Sequence, residues 1–188
     1  MELFELVKDM GLRNLVEVGI GSLSQLKTFY DSGEYDKITL IEVLPSVVDE
    51  AKKYFVGGNV EIINSGVADE SGELDFYIDG DCTHIVNLPS SPVHFHGREY
   101  SGVKLKLPVV RFSEIEPEKI DLLAVDIEGA EWFVLKYMKN RPLIISLETH
   151  SSVTEYINPY ADNIEKWMAE NGYVVMQKGV SDTIYKKT

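Results

Sequence analysis

Short apolar runs rich in Val and Ile alternate with stretches of helical periodicity along most of this chain. The pattern predicts strands at 15–20, 38–43, 60–67, 73–78, 121–126, 143–149, 173–178 and 182–187. It predicts helices at about 22–32, 45–55, 130–139 and 160–170. Strands that alternate with helices form a mostly parallel sheet covered on both faces. We therefore expect an α/β fold with a doubly wound, mostly parallel sheet and a C-terminal antiparallel hairpin.

Length and charge limit the classes of protein to which the chain can belong. Its 188 residues suit one domain, 1–188. With 18 basic and 31 acidic residues, the net charge is -13, which disfavours nucleic-acid and membrane-surface partners. Cys82 is the single cysteine, and the N-terminus lacks the pattern of a secretory signal, so we expect a cytoplasmic protein.

Residues 79–108 interrupt the alternation of strands and helices. This segment holds three of the four histidines and is rich in Gly, Pro and Ser. A loop of this length inside a compact domain is typical of a functional lid or a mobile insertion. We expect a lid over the site, with His84, His94 and His96 exposed on it.

The segment EVGIGS, residues 17–22, joins the first predicted strand to the first helix. Gly19 and Gly21 permit a tight turn and a close approach of the backbone to a ligand. Ligands of such sheets bind beyond the carboxyl ends of the strands. A dinucleotide fingerprint would have a third glycine at position 24, where this chain has Ser24. Glu17 lies just before this turn and adds negative charge.

The second predicted strand ends in Glu42, about 20 residues beyond the glycines, as expected for an acid that binds a ribose. Val43 would then contact an adenine ring, and the chain from Gly66 to Asp69 would border the base. NAD and S-adenosylmethionine both fit such a site. The absent third glycine and the nearby acids favour the cationic S-adenosylmethionine over NAD, which carries a pyrophosphate.

Acidic residues gather where two later strands end. Asp126, Glu128 and Glu131 follow the apolar run LLAV, and Glu148 and His150 end the next strand. A carboxylate or imidazole here could take a proton from an acceptor hydroxyl, with His150 the preferred base and Glu128 next in line. The same oxygens could bind a divalent cation, although we assign no metal ligands. Glu131 alone is equally well explained by capping of the following helix.

The same segment carries a family resemblance. DLLAVDIEGAEWFVL, residues 121–135, resembles the signature of the FkbM family of S-adenosylmethionine-dependent methyltransferases, roughly D-x-x-K-x-D-x-E-G-x-E-x-x-x-L. LIISLETH is similar to that family's next strand, which ends in Glu-x-His. EVGIGS, IEVLP and GVADESGELDFYI resemble its methyl-donor turn, its ribose acid and the strands that follow. The resemblance covers about residues 13–178, and Ala124 departs from it, since the family commonly has Lys there.

This resemblance implies a Rossmann-like class I methyltransferase fold that holds S-adenosylmethionine. It also implies O-methylation of a sugar or natural-product hydroxyl, and hence a small-molecule or carbohydrate acceptor. Two other functions remain open from the residues alone. One is an NAD-linked oxidoreductase, and the other is a non-catalytic module that binds S-adenosylmethionine without an acceptor site.

Overall fold

The computed structural model of the protein describes residues 3–22, 24–91, 102–149 and 158–188. Its α-helices are α1 (Leu3–Val7), α2 (Lys27–Ser32), α3 (Pro45–Tyr54), α4 (Phe112–Ile115), α5 (Glu131–Tyr137) and α6 (Ala161–Glu170). Its strands are β1 (Asn14–Val18), β2 (Lys37–Glu42), β3 (Val60–Asn64), β4 (Gly66–Val67), β5 (Gly72–Ile78), β6 (His84–Ile85), β7 (Val103–Val110), β8 (Leu122–Val125), β9 (Ile144–Glu148), β10 (Tyr173–Lys178) and β11 (Asp182–Lys187).

The larger sheet has seven strands in the order β10-β11-β9-β8-β1-β2-β3. The five strands β9, β8, β1, β2 and β3 run parallel to one another, whereas β11 runs antiparallel to both β9 and β10. This confirms the predicted α/β fold, with a mostly parallel sheet and a C-terminal antiparallel hairpin. The chain extends from β1 towards one edge of the sheet and returns to β8 on the other side of β1. The sheet therefore has a switch point between β1 and β8, where a crevice opens beyond the strand ends.

The core lies on both faces of this sheet. On one face, Val16, Val125 and Leu147 pack against α5 and α6. On the other, residues such as Leu15 and Leu122 pack against α1, α2 and α3. The central strand β8 is fully buried on both sides, which explains its unbroken apolar sequence LLAV.

Two predicted elements differ from the structure. The predicted strand 60–67 divides after β3, and β4 leaves the large sheet to pair with β7 in a second sheet of order β4-β7-β5-β6. Gly66 allows this crossing, because a Cβ atom there would lie 3.2 Å from side-chain atoms of both Phe76 and Val43. The predicted helix 22–32 begins only at Lys27, since the preceding residues hydrogen-bond to Glu17 instead.

The prediction that residues 79–108 form one irregular loop is wrong in part. Residues 103–108 belong to β7, which pairs antiparallel with β5, and His84 lies on β6. The alternation of VKLKLPVV was a signal for this strand, since Leu107 and Val109 are buried in the core of the second sheet. His84 is buried rather than exposed, and its Nδ1 lies 2.8 Å from the carbonyl oxygen of Cys82. His94 and His96 lie outside the described residues, so the lid itself stays a prediction.

None of the described helices is long and apolar enough to span a lipid bilayer.

The ends of β1 and β8 meet through a backbone contact at Gly19. Its φ angle is +84°, and a Cβ atom there would lie 1.8 Å from the carbonyl oxygen of Asp126. The amide of Gly19 donates to the carbonyl of Ile41, and the amide of Asp126 donates to that of Val18, both at 2.9 Å. Gly19 is therefore required by the approach of two backbone segments.

We expect Gly19→Ala to lower the free energy of unfolding by about 3–5 kcal/mol, through left-handed strain and the clash with Asp126. Gly33→Ala is the matched control, because Gly33 has φ +71° but open space around its Cβ position. Gly33→Ala should lower the free energy of unfolding only through the left-handed backbone strain, by about 1–2 kcal/mol. Urea unfolding of both variants measures the difference, and equal losses would contradict the proposed clash.

Candidate active site

A cavity of about 270 Å³ opens at the switch point, beyond the ends of β1, β2 and β8. We call it the switch-point cavity. Its floor is the turn after β1, and its walls come from the loop after β2, the second sheet and the segment after β8. Of the residues predicted to bind a cofactor, it is lined by Glu17, Gly19, Gly21, Glu42, Val43 and Asp126. The structure therefore brings together six of the seven predicted positions.

Glu42 holds the two loops that form the mouth of the cavity. Its Oε2 accepts a hydrogen bond from the amide of Ile20 at 3.0 Å, and its Oε1 accepts one from the amide of Leu44 at 2.8 Å. The side chain is 7% exposed. Each carboxylate oxygen can accept a further bond, so a ribose could still bind Glu42 from the cavity side.

Glu17 is buried beneath the glycine turn. Its Oε1 accepts a hydrogen bond from the amide of Gln25 at 2.7 Å, and its Oε2 accepts one from the hydroxyl of Ser24. Burial raises the pKa of Glu17 to about 8, although these hydrogen bonds act in the opposite direction. This carboxyl group therefore retains its proton over much of the neutral pH range.

The wall opposite the glycine turn is apolar and comes largely from the second sheet. Besides Val43, it includes Leu44, Phe76 and Ile85. Neither Phe76 nor Ile85 was among the site residues predicted from the sequence. The alternation of residues 73–78 indicated a strand, but only the antiparallel pairing of β5 with β6 and β7 brings these side chains to the cavity.

The cavity lining does not include Asp69, so the structure does not support its predicted place beside the base. Asp69 lies instead against α5, where its Oδ1 accepts hydrogen bonds from Lys136 at 2.5 Å and Tyr137 at 2.9 Å. The ion pair with Lys136 lowers the pKa of Asp69. The chain turns away after Val67, because residues 66–67 pair with β7. Of the predicted range from Gly66 to Asp69, Gly66 and Val67 line the cavity, together with Ser65.

Three of the predicted acceptor-site acids meet beyond β8 and β9. One carboxylate oxygen each from Asp126, Glu128 and Glu148 lies within 4.8 Å of the others. Asp126 and Glu128 also line the switch-point cavity. Glu128 has a φ angle of +52°, a left-handed conformation that is uncommon for a residue with a side chain. Strain of this kind is typical of functional positions, where the surrounding contacts maintain it.

Glu131 has a structural task in the same segment. Its Oε1 accepts hydrogen bonds from the amides of Ile127 at 3.2 Å and Gly129 at 3.0 Å, so it shapes the loop before α5. Burial raises its pKa to about 7. Gly129 is needed for a second reason, because a Cβ atom there would lie 2.1 Å from the carbonyl oxygen of Ser90. Gly129 and Glu131 therefore fix the loop before α5 and hold the neighbouring Glu128 in its conformation.

Two further residues were predicted to belong to the acceptor site, Glu148 and His150, and the structure describes only the first of them. Burial, with the negative charges of Asp126 and Glu131, raises the pKa of Glu148. Glu148 is therefore able to donate a hydrogen bond at neutral pH. His150 lies outside the described residues.

The electrostatic character of the switch-point cavity follows from its lining. Among the described residues, the lining holds four acidic side chains, Glu17, Glu42, Asp126 and Glu128, and no Lys, Arg or His. The raised pKa of Glu17 means that this residue does not supply the negative charge predicted for it, so the charge of the cavity comes from the other three acids. Such a cavity favours a ligand that carries positive charge and disfavours a pyrophosphate. Its apolar wall adds a surface for a flat ring.

Glu17 should make stability depend on pH. A carboxyl group whose pKa is raised by folding stabilises the protein fully below its unfolded pKa, and this contribution is lost as pH rises through the folded value. Between about pH 5 and pH 8.5, we therefore expect the wild type to lose on the order of 2–4 kcal/mol more stability than Glu17→Gln. Glu70→Gln, at an exposed position, is the control. Urea unfolding at both pH values gives the comparison, and parallel losses in all three proteins would contradict it.

The comparisons with known proteins agree with this geometry. The sequence matches the model of the methyltransferase FkbM domain over residues 18–175. A comparison with curated proteins found no match. Among solved structures, methyltransferase FkbM from Methylobacillus flagellatus KT has a TM-score of 0.54 at 14% identity, over 93% of this chain and 43% of that chain. This chain thus spans less than half the length of that protein.

Two further structures share the fold. A TehB-like SAM-dependent methyltransferase from Corynebacterium glutamicum has a TM-score of 0.51 at 10% identity, over 98% of this chain and 86% of that chain. TrmK from M. capricolum, solved with its natural cofactor product S-adenosyl-homocysteine, has a TM-score of 0.50 at 8% identity, over 94% and 62%. The family match runs from the end of β1 into β10, which is most of the chain, and the chain therefore belongs to the FkbM methyltransferase family.

Proposed function

We propose that the protein is an S-adenosylmethionine-dependent methyltransferase that transfers a methyl group to a hydroxyl oxygen of a small acceptor. The observation that carries this proposal is the composition of the switch-point cavity, with four acids, an apolar wall and no described basic residue. These residues fit the cofactor, which combines an adenine ring, a ribose and a cationic sulfonium. The S-adenosyl-homocysteine held by TrmK supports the same choice, because the two chains share a fold.

Each part of the cavity has a task in this proposal. Glu42 binds the ribose hydroxyls, Val43 and Phe76 contact the adenine, and the carboxylate of Asp126 attracts the sulfonium. When bound, S-adenosylmethionine supplies an electrophilic methyl group. NAD is disfavoured, because its pyrophosphate would meet carboxylates in a cavity whose described lining offers no cation.

The acidic cluster beyond β8 and β9 supports an acceptor with a hydroxyl group. An alcohol becomes an effective nucleophile when a positioned base takes its proton. We assign this role to His150, with Glu128 as the next candidate, and Glu148 serves as a hydrogen-bond donor while it keeps its proton. The acceptor oxygen must lie about 3–3.5 Å from the methyl carbon. In this proposal, Asp126 and Glu128 beyond the end of β8 border that oxygen.

Glu42→Ala should weaken binding of S-adenosyl-homocysteine by about one to two decades, because a charge-assisted hydrogen bond to the ribose contributes roughly 1.5–3 kcal/mol. Glu61→Ala is a matched control, since Glu61 on β3 forms an exposed ion pair with Lys37 outside the cavity. Calorimetric titration of both variants and the wild type measures the effect. Equal dissociation constants in all three would remove Glu42 from the ribose site.

Glu128→Gln and His150→Ala should lower methyl transfer by about two to four decades while binding of S-adenosyl-homocysteine stays near the wild-type value. The reason is that these side chains act on the acceptor, whereas Glu42 and the apolar wall hold the cofactor. Mass spectrometry of a panel of hydroxylated acceptors measures turnover. Wild-type turnover in both variants would exclude a role for this cluster in proton removal.

A further experiment tests whether the acidic cluster binds a divalent cation instead, by measuring methyl transfer after a chelator is added. If activity is lost on chelation and restored by Mg²⁺, the carboxylates of Asp126, Glu128 and Glu148 bind a cation rather than move a proton.

A further inference from the structure

A second cavity of about 580 Å³ lies next to the switch-point cavity, on the face of the large sheet that carries α1. We call it the hairpin cavity, because the turn between β10 and β11 forms one of its walls. The other walls come from α1, the start of α2, the residue after β8 and the middle of β9. Its volume is in the range of sites that bind small molecules.

Two residues line both cavities, Gln25 and Asp126. The two cavities are thus neighbours that meet at Asp126, just after β8, and at Gln25, before α2. A molecule in the hairpin cavity could therefore present an atom to the acidic end of the switch-point cavity. This is the side on which Asp126 lies, and it is remote from the ribose acid Glu42, which lines only the first cavity.

Ser146 is the residue of the hairpin cavity that points most directly to a ligand. It lies in the middle of β9, in a cross-strand row with Ala124 on β8 and Ile184 on β11. The residue is 2% exposed and its side chain lines the cavity. Among the described residues, none is a hydrogen-bond partner of its hydroxyl group.

The hydroxyl of Ser146 therefore reaches the cavity with its hydrogen-bonding capacity left for a ligand. A ligand with a hydrogen-bonding group would satisfy Ser146.

The rest of the lining defines the chemistry of that ligand. Gln177 and Ser181 add neutral donors and acceptors near the hairpin turn, and Asp126 and Asp182 add negative charge. Lys27 is the one basic side chain in the described lining, and its Nζ lies 2.5 Å from a carboxylate oxygen of Asp31. The cavity therefore suits an uncharged molecule with several hydroxyl groups and disfavours an anion.

We propose that the hairpin cavity is the acceptor site, that it takes a neutral polyhydroxylated small molecule, and that Ser146 determines its specificity by hydrogen bonding to one of the hydroxyls. This inference rests on the proposed function. During transfer, the bond from sulfur to the methyl carbon breaks as a bond from the acceptor oxygen to that carbon forms. The hydroxyl proton passes to the base of the acidic cluster, and the products are an ether and S-adenosyl-homocysteine.

The decisive variant is Ser146→Ile, which fills the cavity and suits the apolar row on β9. The matched control is Thr39→Ile, a buried hydroxyl residue on β2 that lines neither cavity. Each protein is saturated with S-adenosyl-homocysteine and mixed with methyl glucoside, methyl galactoside or glucose 6-phosphate, and saturation-transfer NMR detects the bound sugar. Transfer of a labelled methyl group from S-adenosylmethionine to the same probes is measured in parallel.

We expect at least one neutral probe to bind the wild type and the control and to be methylated. Glucose 6-phosphate should bind more weakly than its neutral counterparts. Ser146→Ile should reduce sugar binding and sugar methylation by at least about tenfold, through loss of one hydrogen bond and of space. Its affinity for S-adenosyl-homocysteine should stay within about twofold of the wild type, because the switch-point cavity is unchanged.

Other outcomes would overturn the inference in distinguishable ways. Wild-type sugar methylation by Ser146→Ile would place the acceptor elsewhere, and preference for the phosphorylated sugar would refute the neutral class. If the wild type binds S-adenosyl-homocysteine but none of the neutral probes, the neutral class of acceptor is refuted and the proposed function stands. Failure of the wild type to bind S-adenosyl-homocysteine would refute the proposed function itself. Should Ser146→Ile not fold, Gln177→Leu offers the same test from the hairpin side of the cavity.

Discussion

The close approach of Gly19 to the carbonyl oxygen of Asp126 is the contact on which the candidate site depends. It brings the ends of two parallel strands together at the switch point, so that a glycine turn and an acidic motif far apart in sequence border one cavity. A second such contact, between Gly129 and the carbonyl of Ser90, fixes the loop that follows. Both glycines are thus explained by the packing of backbone against backbone, and the ligand approach at Gly19 stays a prediction.

Buried carboxyl groups are the main electrostatic feature of the molecule. Removal from water raises the pKa of Glu17 to about 8 and that of Glu131 to about 7, and it raises that of Glu148 as well. The carboxyl oxygens of Glu17 and Glu131 accept hydrogen bonds from loop amides and from one hydroxyl group, so their role is to shape the two loops of the site. A cation that enters the switch-point cavity would meet the other acids of its lining, Glu42, Asp126 and Glu128.

Much of the architecture could be predicted because it depends on local pattern. The apolar run before Asp126, the glycine pair after Glu17 and the proline that starts α3 each identify an element from a few residues. The division of the predicted strand 60–67 could not be predicted, since Ser65 and its neighbours read as one extended run. Pairing of residues 66–67 with β7, more than 40 positions away, decided it. The place of Asp69 followed from this, because the turn after Val67 carries it to Lys136 on α5.

The sequence by itself determined the fold class and the family, and it singled out six residues that line the switch-point cavity, because strand ends and glycine turns are encoded in adjacent residues. Tertiary structure alone decided which side chains share a cavity. It brought Phe76 and Ile85 from the second sheet to the apolar wall, and it placed Ser146 beside Asp126 in the hairpin cavity. It also assigned Glu131 to loop amides. The physical reason is that burial and hydrogen-bond partners depend on strand order and register, which bring together residues far apart in the chain.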